Sequence, residues 1–238
     1  MPRDFALWVY LSRTPLLWLT VTLIAYAVAD RASAATNRHP LANPVLHAIW
    51  ITGLVLRMTG TPYATYFEGA QFVHFLLGPA TVALAIPLYE HRAAVARALL
   101  PMLAALLGGS ATALGSAVTL ALAFGLPRPV IVALAPKSVT AGVAMGIAET
   151  LGGDPTLTAV LVISTGVAGA IIVTPLMRAL RVTDMRARGF AAGLAAHGIG
   201  TARAFQVSEV AGTFAGIAMG LNAFLTAVLV PAVLSFVR

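Results

Sequence analysis

Between Ala98 and Pro127 the chain runs for thirty residues without a charge, and uncharged apolar runs recur at 14–29, 155–177 and 210–237. A run of about 20 apolar residues matches the hydrocarbon core of a bilayer. In lipid no water is present to satisfy backbone N–H and C=O groups, so a spanning segment must be a helix or part of a closed barrel. These runs are continuous and do not alternate, so helices are expected. The composition agrees: 59% of the 238 residues are hydrophobic and 10% are charged, against about 25% charged in soluble domains. An all-α integral membrane protein is therefore expected, without a soluble domain.

Composition also narrows the chemistry. There is no cysteine, so disulfides and thiolate chemistry are excluded. The five His and eight acidic residues show no metal-ligand spacing such as His-x-x-x-His on one helix face, and no metal, cofactor or enzymatic activity is expected. The net charge of +7 sits on arginines in short loops between apolar runs. It reads as a topology signal against anionic lipid, not as nucleic-acid binding.

In chain order the expected segments are 5–29, a short one at 40–56, 69–89, 98–127, 129–148, 155–177, 189–202 (too short for a regular crossing) and 210–237. A signal peptide cleaved at Ala32-Ser33-Ala34 is the alternative for the first, but Asp30 and Arg31 intervene before that site. Arg31 and Arg38, Arg92 and Arg97, and Arg178, Arg181, Arg186 and Arg188 form three basic loops. If all three are cytoplasmic, an even number of crossings separates them. The parity works when 129–148 enters and returns as a hairpin. Gly212, Gly216 and Gly220 share one face of the last segment and predict close helix packing, within or between subunits.

The stretch with most chemistry is Ala135-Pro136-Lys137-Ser138-Val139-Thr140. Pro136 breaks a helix, and Lys137 is costly in lipid unless it meets a cavity or a partner. Ser138 is placed to cap a restarting helix, and with Thr140 it offers hydroxyls. A broken helix presenting a cation, hydroxyls and free N–H groups is suited to an anion. A second break is His197-Gly198-Ile199-Gly200-Thr201-Ala202-Arg203. There His197 could carry a proton or close a helix end. Arg203 could hold a carboxylate or pair with Glu209. A third break is Gly78-Pro79 with Thr81 just beyond, where the hydroxyl could be a cap or a ligand contact. Asn43 before Pro44 is suited to satisfying freed backbone groups. Pro79-Ala80-Thr81-Val82 echoes Pro136-Lys137-Ser138-Val139, and Gly78-x-x-Thr81 echoes Gly198-x-x-Thr201. Interrupted segments in repeated positions point to a site near the bilayer midplane.

Several of these motifs together carry a resemblance to a known family. They are Asn43-Pro44, Tyr66-Phe67-x-Gly69, the run from Leu76-Leu77-Gly78-Pro79 to Pro87-Leu88-Tyr89, Pro136-Lys137-Ser138-Val139-Thr140, Gly152-Gly153 and His197-Gly198-Ile199-Gly200-Thr201-Ala202-Arg203-Ala204. From about Leu19 to Pro231 the chain resembles the LrgB/CidB family of bacterial inner-membrane proteins. That family also covers the C-terminal half of the plastidial glycolate/glycerate translocator. Ala196 stands where the family has Ser, and Gln206 where an acidic residue is expected.

The resemblance implies one LrgB-like transmembrane domain over 1–238, multi-pass in the bacterial inner membrane. About seven to eight segments, internal repeats and an elevator-like transporter architecture are expected. Scaffold helices would lie at 5–58 and broken segments around 69–90, 128–150 and 188–206. It implies two functions, of which the first is expected here, because a pore of oligomerising helices needs neither a Pro-Lys break nor a His-Gly-x-Gly-Thr break. One is a secondary carrier of small 2-hydroxy or 2-keto monocarboxylates (glycolate, glycerate, lactate, pyruvate). Its substrate would meet Thr81, Lys137, Ser138, Thr140, Gly198, Gly200, Thr201 and Arg203, with His197 coupling a proton and Asn43, Gly78, Pro79 and Pro136 shaping the breaks. The other is an antiholin-like regulator of murein hydrolase export, acting with a small LrgA/CidA-type membrane partner. A homodimer is expected in the first case.

Overall fold

The computed structural model describes residues 14–76, 79, 82–83 and 85–236. Among the described residues every regular element is a helix. The chain divides into two compact units, 1–85 and 86–238.

The first unit contains α1 (Pro15–Ala35), α2 (Pro44–Thr59) and α3 (Tyr63–Phe75). α1 starts on a proline, whose missing N–H costs nothing at a helix start, and runs past Asp30 and Arg31, further than the expected boundary. Arg38 folds back to pair with Asp30. Asn43 caps α2: its side chain accepts from the N–H groups of Val45 (2.9 Å) and Leu46 (3.1 Å), with Pro44 in the first turn. The Asn-Pro pair is thus a helix-start device. α3 lies on the first turn of α1. A side chain at Gly69 would collide with the Pro15 carbonyl and stand 2.8 Å from Trp18 Cβ. The Tyr66 ring meets the buried Trp18 edge-on at 6.2 Å, and its hydroxyl lies 3.1 Å from that of Thr22.

The second unit holds the short α4 (Ala85–Glu90) and α5 (Arg92–Arg97), then α6 (Leu99–Ala123), α7 (Arg128–Leu134), α8 (Ala141–Thr150), α9 (Pro155–Ala179), α10 (Met185–Val207) and α11 (Glu209–Leu234). Four helices, α1, α6, α9 and α11, are long and apolar enough to cross a membrane. Within the expected segment 69–89, interrupted at Gly78-Pro79, α3 ends at Phe75 and α4 starts at Ala85, and most of the residues between them lie outside the described residues. The 129–148 run becomes two helices of seven and ten residues, each about 10–15 Å long and too short to cross a core of about 30 Å. The segment folds back on itself. A side chain at Gly153 would stand 2.8 Å from Val132 Cγ1, so the end of this segment returns beside α7. Gly152 makes that return at φ 79°, a conformation that favours glycine. Ile131, Val132, Ile147 and Ala148 of the folded-back pair pack against Leu114 and Val118 of α6 and Val230 and Leu234 of α11.

The 189–202 run departs most from expectation. It is the middle of a 23-residue helix, α10, which extends through Arg186 and Arg188 at one end and Arg203 at the other. Asp184 caps it, and the Arg186 guanidinium beside Asp184 holds that carboxyl below the usual carboxylate range. A single residue, Ser208, joins α10 to α11. The two helices touch backbone to backbone, because side chains at Gly189 and Gly193 would collide with the carbonyls of Ala211 and Ala215. Between lipid-embedded helices packing replaces the hydrophobic drive, and small residues permit it. Of the Gly212/Gly216/Gly220 stripe, a side chain at Gly212 would collide with the Phe205 ring, while within this chain nothing lies within 4 Å of a side chain placed at Gly220.

Candidate functional site

α10 is bent at its centre. Ala196 (φ −129°, ψ 18°) and His197 (φ 39°, ψ −132°) leave helical geometry. A non-glycine residue at positive φ costs about 1–3 kcal/mol and persists only when its surroundings hold it. Two bonds hold His197. Its Nε2 lies 3.0 Å from the Val162 carbonyl of α9, and its own carbonyl accepts the Thr201 hydroxyl at 2.8 Å. With a carbonyl as partner, Nε2 carries a proton, which leaves Nδ1 as the nitrogen that can gain or lose one. The ring fits because residue 166 is glycine: a Cβ there would stand 2.6 Å from His197 Cε1. Gly200 is equally constrained, since a Cβ on it would stand 2.6 Å from Ala196 Cβ. At Gly198 the nearest atom would be Met219 Sδ at 3.9 Å.

Two backbone carbonyls stand at these breaks, that of Leu194 two residues before the bend and that of Ser138 in the α7–α8 turn. One side chain serves both. Asn222, in the middle of α11 and 1% exposed, donates through Nδ2 to Leu194 O (3.1 Å) and Ser138 O (3.2 Å). Its Oδ1 accepts from Ser110 of α6 (2.7 Å) and Thr226 of α11 (3.2 Å). An amide has two donors and two acceptor lone pairs, so all four are used. The breaks at 136–140 and 196–197 therefore meet across one amide. The sequence reading missed Asn222, Ser110 and Thr226. Their signal was an amide in an uncharged span, where an unsatisfied polar group is expensive.

The other expected site residues fall as follows. Pro136 is buried in the turn between α7 and α8. Lys137 is half-buried beside it; among the described residues the ion pairs are Arg38–Asp30 and Arg186–Asp184, so the ammonium has no carboxylate within 4 Å. Thr140, not Ser138, takes the capping position of α8, and its side chain makes no capping bond. The first-turn N–H groups there have no acceptor within the helix. Buried Ser138 offers its carbonyl to Asn222. Arg203 is buried and donates to Gln206 Oε1 at 3.3 Å, so the residue that departs from the family pattern is one of its partners. Glu209 is exposed in the first turn of α11. Pro79 is exposed; Gly78 and Thr81, and with them the third expected break, lie outside the described residues. A cavity of about 570 Å³ lies between α6, α10 and α11, away from both Lys137 and His197.

Comparison with known proteins supplies the context for this geometry. The model of a family described as LrgB-like matches residues 22–236. The chain is 37% identical to the uncharacterized protein YwbG of Bacillus subtilis, over 92% of this chain and 96% of that one. It is 32% identical to the holin-like protein CidB of Staphylococcus epidermidis, over 90% and 93% of the two chains. It is 33% identical to the protein of the same name in Staphylococcus aureus, over 91% and 94%. No solved structure matches.

Proposed function

This chain belongs to the LrgB-like family of multi-pass bacterial membrane proteins, and on that footing we propose a holin-like function: regulation of murein hydrolase export and autolysis with a small CidA-type membrane partner. What supports this is the name carried by relatives that align over nine-tenths of the chain. On this reading α10 and α11 form a rigid core, and the partner supplies whatever opening the membrane undergoes.

A second reading, carriage of small monocarboxylates, is favoured by one observation. Lys137 stands at a helix break with no carboxylate within 4 Å among the described residues, beside helix N–H groups that the Thr140 side chain leaves uncapped. An ammonium and a helix N-terminus together suit a carboxylate. On this reading the substrate carboxylate meets Lys137 and the N–H groups after Thr140. The Ser138, Thr140 or Thr201 hydroxyls and Arg203 serve its remaining oxygens. The breaks at Pro136 and His197 move in an elevator-like cycle. Proton coupling at His197 would offset the potential, which opposes each uncompensated negative charge by about 2.3 kcal/mol per 100 mV.

Uptake of labelled glycolate and pyruvate into liposomes containing only this protein separates the two. The regulatory reading expects no saturable uptake, together with an autolysis defect in cells lacking the chain that the Lys137→Ala variant still corrects. Saturable uptake by the chain alone, lost in Lys137→Ala, would replace that reading with the carrier.

A further inference from the structure

The groove between the first halves of α6 and α10, floored by Phe214 of α11, has a volume of about 570 Å³. At one end stand Arg97, Arg186 and Asp184, all exposed, with the Arg186 guanidinium paired to the Asp184 carboxylate and Arg97 bearing no carboxylate partner among the described residues. Below them the lining is apolar, with Ala105, Phe190, Ala191 and Leu194, and it ends at Gly109. From Leu99 to Gly109 α6 rises by about 15 Å, about half of a hydrocarbon core of about 30 Å. Below the rim the lining along that length is apolar, and a hydrocarbon chain suits it, because its carbons pack against apolar neighbours at about 3.5–4.0 Å. A small carboxylate would find no donor below the rim. The sequence bordering the mouth, 90–97 and 178–188, carries six arginines against Glu90 and Asp184. Basic rims between membrane helices recruit anionic headgroups.

We propose that this groove binds one acyl chain of an anionic phospholipid, with the lipid phosphate at Arg97 and Arg186. The site is independent of either functional reading. Its floor adjoins the central hydrogen bonds: a side chain at Gly109 would stand 2.6 Å from Leu194 Cδ2, Leu194 gives its carbonyl to Asn222, and the next residue of α6 is Ser110.

The test uses the purified full-length protein with phosphatidylglycerol carrying a photoreactive acyl chain, and phosphatidylcholine carrying the same chain. Adducts are expected on peptides covering 101–109 and 187–194, several-fold more with phosphatidylglycerol. Ala105→Phe, which fills the groove from an exposed position, should remove them, and Arg97→Gln should erase the preference between the two lipids. Adducts spread evenly over the chain, or equal for both lipids, would overturn the proposal, and the wild-type map decides this even if a variant fails to fold. So would adducts that survive Ala105→Phe while an association with a second copy or another protein is lost, because the occupant would then be protein.

Discussion

At the scale of single residues, Asn222 ties α11 to α6 through Ser110, to the α7–α8 turn through Ser138 and to α10 through Leu194. Replacing it with Val leaves the Leu194 and Ser138 carbonyls without their donor. A buried polar group left unsatisfied costs about 1–3 kcal/mol. Ser110→Ala removes one bond of the four, about 0.6 kcal/mol for a hydrogen bond between membrane helices. Thermal unfolding in detergent should therefore rank Asn222→Val well below Ser110→Ala; equal losses would refute the shared-amide account. Gly166 and His197 make a second pair. Gly166→Ala forces the ring aside and should cost about 1–3 kcal/mol, as overpacking does. In the double variant with His197→Ala that cost should shrink, so the pair should lose less stability than the sum of the two single variants in a double-mutant cycle. Pro136 and Lys137 were legible in the sequence because a proline and a cation are rare in an apolar run. Asn222 was not, because three of its four partners lie 28, 84 and 112 residues away and a lone amide gives no periodic signal.

At the scale of elements, the α10–α11 hairpin shows where glycine matters. Gly193→Ala should destabilise the protein strongly, since the new carbon would enter the Ala215 carbonyl and the clash is with backbone that cannot swing away. Gly220→Ala meets open space and should be neutral or slightly stabilising, because alanine favours a helix over glycine by up to about 1 kcal/mol. Melting temperatures of the two variants test this, and a matched loss in both would mean the helices are not in backbone contact. The spacing of four at 212, 216 and 220 was visible in the sequence, but the contact uses the same spacing at 189 and 193. Spacing alone cannot say which of two glycine rows meets a neighbour. The limits of α10 were hidden for a related reason. Arginines at both ends masked a helix that the apolar window truncated.

At the scale of the whole molecule, the membrane class, the family and the positions of the long helices followed from apolar runs and motifs, because lipid leaves the backbone few choices. The path between helices did not, since loop charge yields only parity. The folded-back segment 128–153 now places the end of α6 and the start of α9 on one side. The loops holding Arg92 and Arg97 and holding Arg178 to Arg188 should therefore share the other, cytoplasmic, side. The chain has no cysteine, so single cysteines at Ala96 and Thr183 can be probed directly. Both should react with an impermeant thiol reagent only from the inside, and opposite accessibility would exclude the fold-back.

The single amide at the crossing has a further consequence. Asn222 has no spare hydrogen-bonding capacity, so on the carrier reading the two interrupted segments would be thermodynamically linked. A ligand that drew the Ser138 carbonyl away would change the free energy of bending at His197, and by reciprocity a proton that shifted the bend would change affinity at Lys137 by the same factor.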